Sequence, residues 1–426
     1  MCKFLSQSGP FFAIWLLVSV FGPSAGAQTE DVLLAFTSTH GRVPYGGVIF
    51  DQQGNLYGTT TEGGSYGAGV VYILSPTGSG TWTGYPIYQF RGGTGDGSVP
   101  QGTLVFDSAG NLYGTTSGGG TYSSGTVFEL EPTGGSTWKE KILHVFGGGS
   151  DGVSPAGSLV FDASGNLYGT TTFGGGSTNQ GIAFELSPTG SGPWHETVLH
   201  RFAASSDGQN PFAGVILDAS GNLYGTTRFG SASGSCVTEN CGTAFELSPQ
   251  AGGKWREKIL HSFKGGATDG GNPWGPLVFD GQGNLYGTTY YGGGGSSCEF
   301  YCGTVFELSP EGGTWSETIL HSFNANDGYF PLAGVILDQA GSIYGTTSEG
   351  GTVGQASGVV FELSPQAGTW AFTWLHNFPE QPGDGQVPGS GSLVMDAQGN
   401  LYGTTEAGGR VSSGNNGFGT VYEVTP

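Results

Sequence analysis

The chain has 426 residues, 85 of them glycine, with 33 acidic against 12 basic side chains and a formal net charge of −21. This balance argues against nucleic acid as a partner, which needs basic patches, and against electrostatic docking on anionic membranes. The glycine content is high enough to raise low complexity, but short apolar runs recur between the glycines at regular spacing, as strands separated by turns do.

In chain order, residues 1–27 read as a signal peptide. Lys3 supplies a weak basic start, and Phe11 to Phe21 is an eleven-residue apolar run, too short to span a bilayer. Ala25-Gly26-Ala27 fits a small-residue cleavage site before Gln28. No second hydrophobic stretch follows, so the expectation is an exported, monomeric protein without membrane insertion, secreted or held at the periplasm or cell surface. Residues 28–40 contain Val32-Leu33-Leu34-Ala35-Phe36, which matches only the last strand of the units described next.

From there the chain is seven copies of one unit. Gly-Asn-Leu-Tyr-Gly-Thr-Thr and its close variants place tyrosines at Tyr57, Tyr113, Tyr168, Tyr224, Tyr286, Tyr344 and Tyr402, at intervals of 56, 55, 56, 62, 58 and 58 residues. Such a period means one supersecondary unit used repeatedly. The fifth copy reads as four strands. The first is Pro276 to Asp280, with consecutive apolar residues that predict burial on both faces. Asp280 to Gly283 is a turn whose aspartate accepts backbone N–H bonds and whose glycine supplies a positive φ. The second strand is Leu285 to Thr289, the third Gly303 to Pro310 and the fourth Trp315 to Phe323. All are short, β-branched and aromatic, and bounded by Gly, Pro, Asp or Asn. No segment of residues 28–426 sustains a helical period.

Seven four-stranded units predict an all-β fold, a seven-bladed β-propeller forming one domain over residues 28–426. The last unit ends on a third strand, Gly419 to Val424, and residues 28–40 hold a spare fourth strand. Pairing the two closes the ring and removes a sheet edge.

Four cysteines follow Cys2: Cys236, Cys241, Cys298 and Cys302, two in each of the same loop of blades 4 and 5. Export favours local disulfides, Cys236–Cys241 and Cys298–Cys302. A four-thiolate zinc site between the two blades is the alternative reading of the same spacing.

The unit [Leu/Ile]-His-x-Phe, Asp-Gly, Pro, Leu-x-x-Asp-x-x-Gly-Asn-Leu-Tyr-Gly-Thr-Thr, Gly-Gly, Gly-Thr-Val-Phe-Glu-Leu resembles the GloVer tandem-repeat proteins, which are bacterial, exported and described as choice-of-anchor. The resemblance covers nearly all of residues 28–426 and implies export; it brings no catalytic residues. The Asp-x-x-Gly-Asn-Leu-Tyr hairpin is also similar to that of NHL and gluconolactonase-type propellers, which implies fold only.

A residue present in every repeat is scaffold, so function belongs where the repeats differ. His144, His200, His261, His321 and His376 share one position, held by Tyr88 and Leu34 in other copies, and read as packing or hydrogen-bonding groups. The tryptophans opening the fourth strands read as core. The Thr pairs could line the channel. No Gly-x-Ser-x-Gly elbow at a strand-to-helix turn, His-Glu-x-x-His or P-loop motif occurs, and no unlike metal ligands stand out in the first two strands, so neither catalytic residues nor a metal or cofactor is expected. The loops of blades 4 to 6 are longer and more aromatic. Trp274, Tyr290, Tyr291 and Tyr301 are the expected ligand anchors, for a glycan or a peptide or protein surface. The function expected is a non-catalytic extracellular binding module; the alternative is a metal-dependent lactonase- or lyase-like enzyme with its ion at the channel mouth.

Overall fold

The computed structural model describes residues 29–78, 80–190, 193–203, 207–230, 241–294, 302–351, 357–379, 383–409 and 417–426. They form seven antiparallel four-stranded blades in a ring. Blade 5 is typical: Val278–Phe279, Leu285–Thr289, Thr304–Glu311 and Thr314–Ser322, each hydrogen-bonded to the next. Among the described residues the only helical element is a three-residue 3-10 turn, Gly93–Gly95.

The first hairpin follows from its turn. Asp51 Oδ1 accepts the backbone N–H groups of Gln53 and Asn55, and Oδ2 accepts the Asn55 side-chain amide and the Tyr57 hydroxyl. Gly54 takes φ 83°, the left-handed residue that a type I turn with a bulge requires. The set recurs at Asp107, Asp162, Asp218, Asp280 and Asp396. The first strand itself is shorter than its sequence predicts. It pairs over two residues, both only half-buried, because the residues before it leave the ladder and run along the ring axis. There Gly275 abuts Gly334 of the next blade so closely that a Cβ would lie 2.3 Å from the Gly334 nitrogen.

Adjacent blades share one interface. Tyr57 meets Phe106 of the next blade edge-on at 5.2 Å and Trp138 at 6.1 Å, and the Tyr113, Tyr224 and Tyr402 junctions repeat the pattern. The tryptophans are half-buried and pack against the buried core of the blade junctions, which makes them structural, as their sequence position predicts. The Thr pairs do not line the channel. Thr115, Thr170 and Thr288 are buried and donate to the carbonyls of Gly157, Ala213 and Ala333 in the next blade, which consumes their hydroxyls as blade-to-blade links.

A second link is built into the loop entering each blade. Val43, Val99, Ser154, Asn210, Asn272, Phe330 and Val387 all have φ between 55 and 59°, and each precedes a proline. A non-glycine residue there costs roughly 1–2 kcal/mol. The return is a two-sided staple. The Phe330 N–H donates to the Cys302 carbonyl of the preceding blade, and the Phe330 carbonyl accepts from Ser348 of its own blade.

The ring closes through the N-terminal strand. Thr29–Ala35 pairs antiparallel with Thr420–Thr425, with Leu34 opposite Val421 and a bulge at Leu33. Every fourth strand carries that bulge, one residue before its His, Tyr or Leu position. A bulge re-aims the side chains that follow it, and here it sends the five histidines into the junction with the next blade.

Candidate functional site

Two repeat positions ring the mouth of the channel and differ from blade to blade. One follows the stapled proline: Tyr45, Gln101, Ala156, Phe212, Trp274 and Leu332 in blades 1 to 6. The other follows the Thr pair: Thr61, Ser117, Thr172, Arg228, Tyr290, Ser348 and Glu406 in blades 1 to 7. The staple fixes the second position. The backbone N–H of Arg228 donates to Asn210, and that of Tyr290 to Asn272. Below this rim lies a cavity of about 260 Å³ on the axis, walled by backbone glycines and by side chains that include Val48, Leu104, Leu159, Phe212, Trp274 and Leu393.

The aromatic rim is a continuous array. Phe212 lies 5.2 Å from Trp274, Trp274 lies 5.7 Å from Tyr290, and Tyr290 stacks on Phe330 at 4.4 Å with the planes 10° apart. Tyr291 stands edge-on to both Tyr290 and Phe330. Tyr45 of blade 1 meets Phe212 of blade 4 at 6.2 Å. Those blades are three places apart, so the contact crosses the axis. The rings thus pack on one another while remaining half-buried rather than enclosed.

Arg228 is held in this array. Its guanidinium carbon is 3.4 Å from the Trp274 ring centroid and 4.9 Å from that of Phe229. Its Nε meets no hydrogen-bond partner, and neither does the Trp274 Nε1. No described carboxylate pairs with Arg228. Burial lowers its pKa to about 10, so it stays charged at neutral pH, stabilised by the tryptophan face. Burial pushes Glu406 on the same rim up to about 7, and pushes Tyr290 up to about 12, with Tyr291 adding to the shift.

Of the anchors expected from sequence, Trp274, Tyr290 and Tyr291 come together here; Tyr301 lies outside the described residues. Cys241 and Cys302 are buried and disulfide-bonded, and Cys236 and Cys298 lie outside the described residues. Sequence reasoning missed Tyr45, Phe212, Arg228 and Glu406. The signal was present: aligned on the Thr pair and on the proline, these are the positions at which otherwise matching repeats carry unlike side chains.

The histidines sit elsewhere, between blades. His261 Nε2 lies 3.2 Å from Asp269 Oδ1 and 3.6 Å from Glu317 Oε2 of blade 5, and His200 faces Asp207 and Glu257 in the same way. Burial, with Asp207 adding to it, pushes the Glu257 carboxyl up to about 8.

A family model described as the Gloeobacter/Verrucomicrobia repeat matches residues 18–238 and 231–426. No curated protein matches the sequence. Among solved structures, a fungal alcohol oxidase of the AA5 family in complex with copper is similar at TM-score 0.57 and 15% identity, over 94% of this chain and 77% of that one. The extracellular domain of BT3049, assigned to the hybrid two-component systems of B. thetaiotaomicron, is similar at TM-score 0.53 and 13% identity, over 94% of this chain and 41% of that one. PorZ, a surface component of the type-IX secretion system of Porphyromonas gingivalis, is similar at TM-score 0.50 and 14% identity, over 87% of this chain and 46% of that one. The chain spans less than half the length of the last two. At these identities the likeness is one of fold.

Proposed function

Because the chain belongs to the Gloeobacter/Verrucomicrobia repeat family, whose repeat accounts for the scaffold, we propose that its function resides at the channel mouth, where the repeats differ, and that it is an exported binding module for carbohydrate carrying carboxylate groups. The observation behind this is the unpaired Arg228 on the Trp274 face, within a half-buried aromatic array. Aromatic rings take the apolar faces of sugar rings, and a guanidinium takes a carboxylate in bidentate fashion. Export draws support from the apolar run Phe11 to Phe21 with Ala25-Gly26-Ala27 after it, and from the bonded sulfurs of Cys241 and Cys302, since disulfides persist in oxidising compartments. Intact mass of the secreted protein before and after reduction tests cleavage after Ala27 and the pairs Cys236–Cys241 and Cys298–Cys302.

The binding test is a glycan array spanning neutral and acidic polysaccharides, followed by calorimetry on the ligands found. Trp274→Ala is expected to weaken all glycan binding at least tenfold. Arg228→Gln is expected to weaken only the acidic ligands. Affinity unchanged in both variants sinks the site. Chelator-sensitive turnover of a lactone or glycan replaces the binding module with an enzyme.

A further inference from the structure

The blade junctions carry a second kind of site, independent of the channel mouth. At four junctions the His of one outer strand, the Asp of the loop into the next blade and a Glu of that blade's outer strand converge: His144, Asp151 and Glu196; His200, Asp207 and Glu257; His261, Asp269 and Glu317; His376, Asp384 and Glu30. In each, one oxygen or nitrogen per residue lies within 4.8 Å of the other two.

At two of the junctions His261 and Asp269, and His376 and Asp384, are within direct hydrogen-bond distance, at 3.2 and 3.1 Å; at the other two the separations are longer and suit a shared cation better. His200 Nε2 is 3.6 Å from Asp207 Oδ2 and 3.7 Å from Glu257 Oε1, and neither the His200 Nε2 nor the Glu257 Oε1 has a hydrogen-bond partner. His144 Nε2 is likewise 3.6 Å from Asp151 Oδ2 and lacks a hydrogen bond. Ligands at the roughly 2.0–2.1 Å distance typical of zinc stand about 3.4 Å apart when tetrahedral. At the third junction the Glu317 side chain is nine-tenths buried, and its Oε1 finds no partner. Leaving buried carboxylate and imidazole atoms unsatisfied is costly, yet the arrangement is repeated.

The remaining junctions change as whole units. After blade 1 the His is replaced by Tyr88, whose hydroxyl donates to Glu140 at 2.9 Å and lies 3.2 Å from Asp96. A proton on the phenol fills the centre. After blade 5 the Glu is replaced by Phe372, whose ring stacks on His321 at 4.7 Å. At the closing junction Leu34 packs against Gly84. Where one of the three ligands is lost, a phenol or an aromatic ring takes its place, although Glu140 Oε1 and His321 Nε2 at those junctions are also without a hydrogen-bond partner.

We propose that the four His–Asp–Glu groups are divalent-cation sites of the zinc class, each clamping one blade to the next. This departs from the sequence reading, which expected no metal. The three ligands leave a fourth position for water, and their mixed nitrogen and oxygen donors are those zinc accepts.

Full-length protein stripped with chelator and dialysed is titrated with zinc by calorimetry, and bound metal is counted by elemental analysis after gel filtration. Four equivalents are expected, with a raised thermal midpoint, and cobalt should give the visible absorption of a four-coordinate site. Glu317→Gln should remove one equivalent. His261→Tyr, which copies the natural Tyr88 junction and so preserves folding, should also remove one. Phe372→Glu completes the junction after blade 5 and should add one. Absence of retained zinc, or a count unchanged in all three variants, overturns the proposal.

Discussion

Tyr72 and Tyr422 occupy the third-strand position that holds Phe128, Phe184, Phe245, Phe306 and Phe361 in the other blades. Both are buried, and neither hydroxyl has a hydrogen-bond partner. Burial raises both pKa values strongly, so they remain neutral phenols. A buried unsatisfied hydroxyl costs about 1–3 kcal/mol, and phenylalanine already fits the site elsewhere in the ring. Tyr422→Phe should therefore stabilise the protein by about 1 kcal/mol, read as a higher urea midpoint at unchanged slope. A lower midpoint would reveal a partner for that hydroxyl. At the mouth, the raised Glu406 carboxyl has the opposite consequence of a salt bridge: protons bind the folded state more tightly, so its contribution is fully present below the ordinary glutamate range and is lost as pH rises through about 7.

At the scale of the element, the turn and the staple set the blade. The turn aspartates Asp107, Asp162, Asp218 and Asp280 are held below the usual carboxylate range. Burial alone would raise them, but hydrogen bonds from the following asparagine's backbone and side chain outweigh it. Their stabilisation is present above the ordinary aspartate pKa and lost as pH falls through the depressed value. The staple depends on a glycine opening the third strand. Gly303 has φ 96°, and a Cβ there would lie 2.4 Å from the Thr289 carbonyl oxygen and 2.7 Å from Pro331 Cδ of the next blade. Both obstacles are rigid. Gly303→Ala should destabilise by at least 2 kcal/mol, from the strained dihedral and the clash together, measured by equilibrium denaturation. The exposed turn Gly312→Ala, with a positive φ but open space, should cost less. Equal losses would remove the blade contact from the explanation.

For the whole molecule, stability rests on ring closure. The strand Thr29–Ala35 covers the edge of Thr420–Thr425, and Phe36 just beyond it packs edge-on against Tyr72 of blade 1 at 5.0 Å. Deleting residues 29–36 exposes that edge and opens the core around Val70 and Val421. The expected outcome is a shift to larger species on size-exclusion chromatography relative to the full-length protein, with aggregation through the free edge. A well-behaved monomer of unchanged thermal midpoint would show that the ring closes by another route.

The sequence by itself determined the blade, its count and the closing strand. Short β-branched and aromatic runs, the Asp-x-x-Gly turn around Asp280 and the Gly-Thr opening of the third strand act over a few residues, and seven repetitions make them unmistakable. It also carried Trp274, Tyr290 and Tyr291 as candidates, because loop length and aromatic content are visible in one dimension. Tertiary structure alone decided the rest. Tyr45 and Phe212 are 167 residues apart in the chain and touch only because the ring brings opposite blades to one axis. Arg228 becomes distinctive only when Trp274 of the following blade lies under it. The histidines read as ordinary repeat positions until each bulge turned one toward the Asp and Glu of its neighbour. Backbone pairing is a short-range property, whereas a site is a convergence of separate segments, and convergence exists only after the blades have packed.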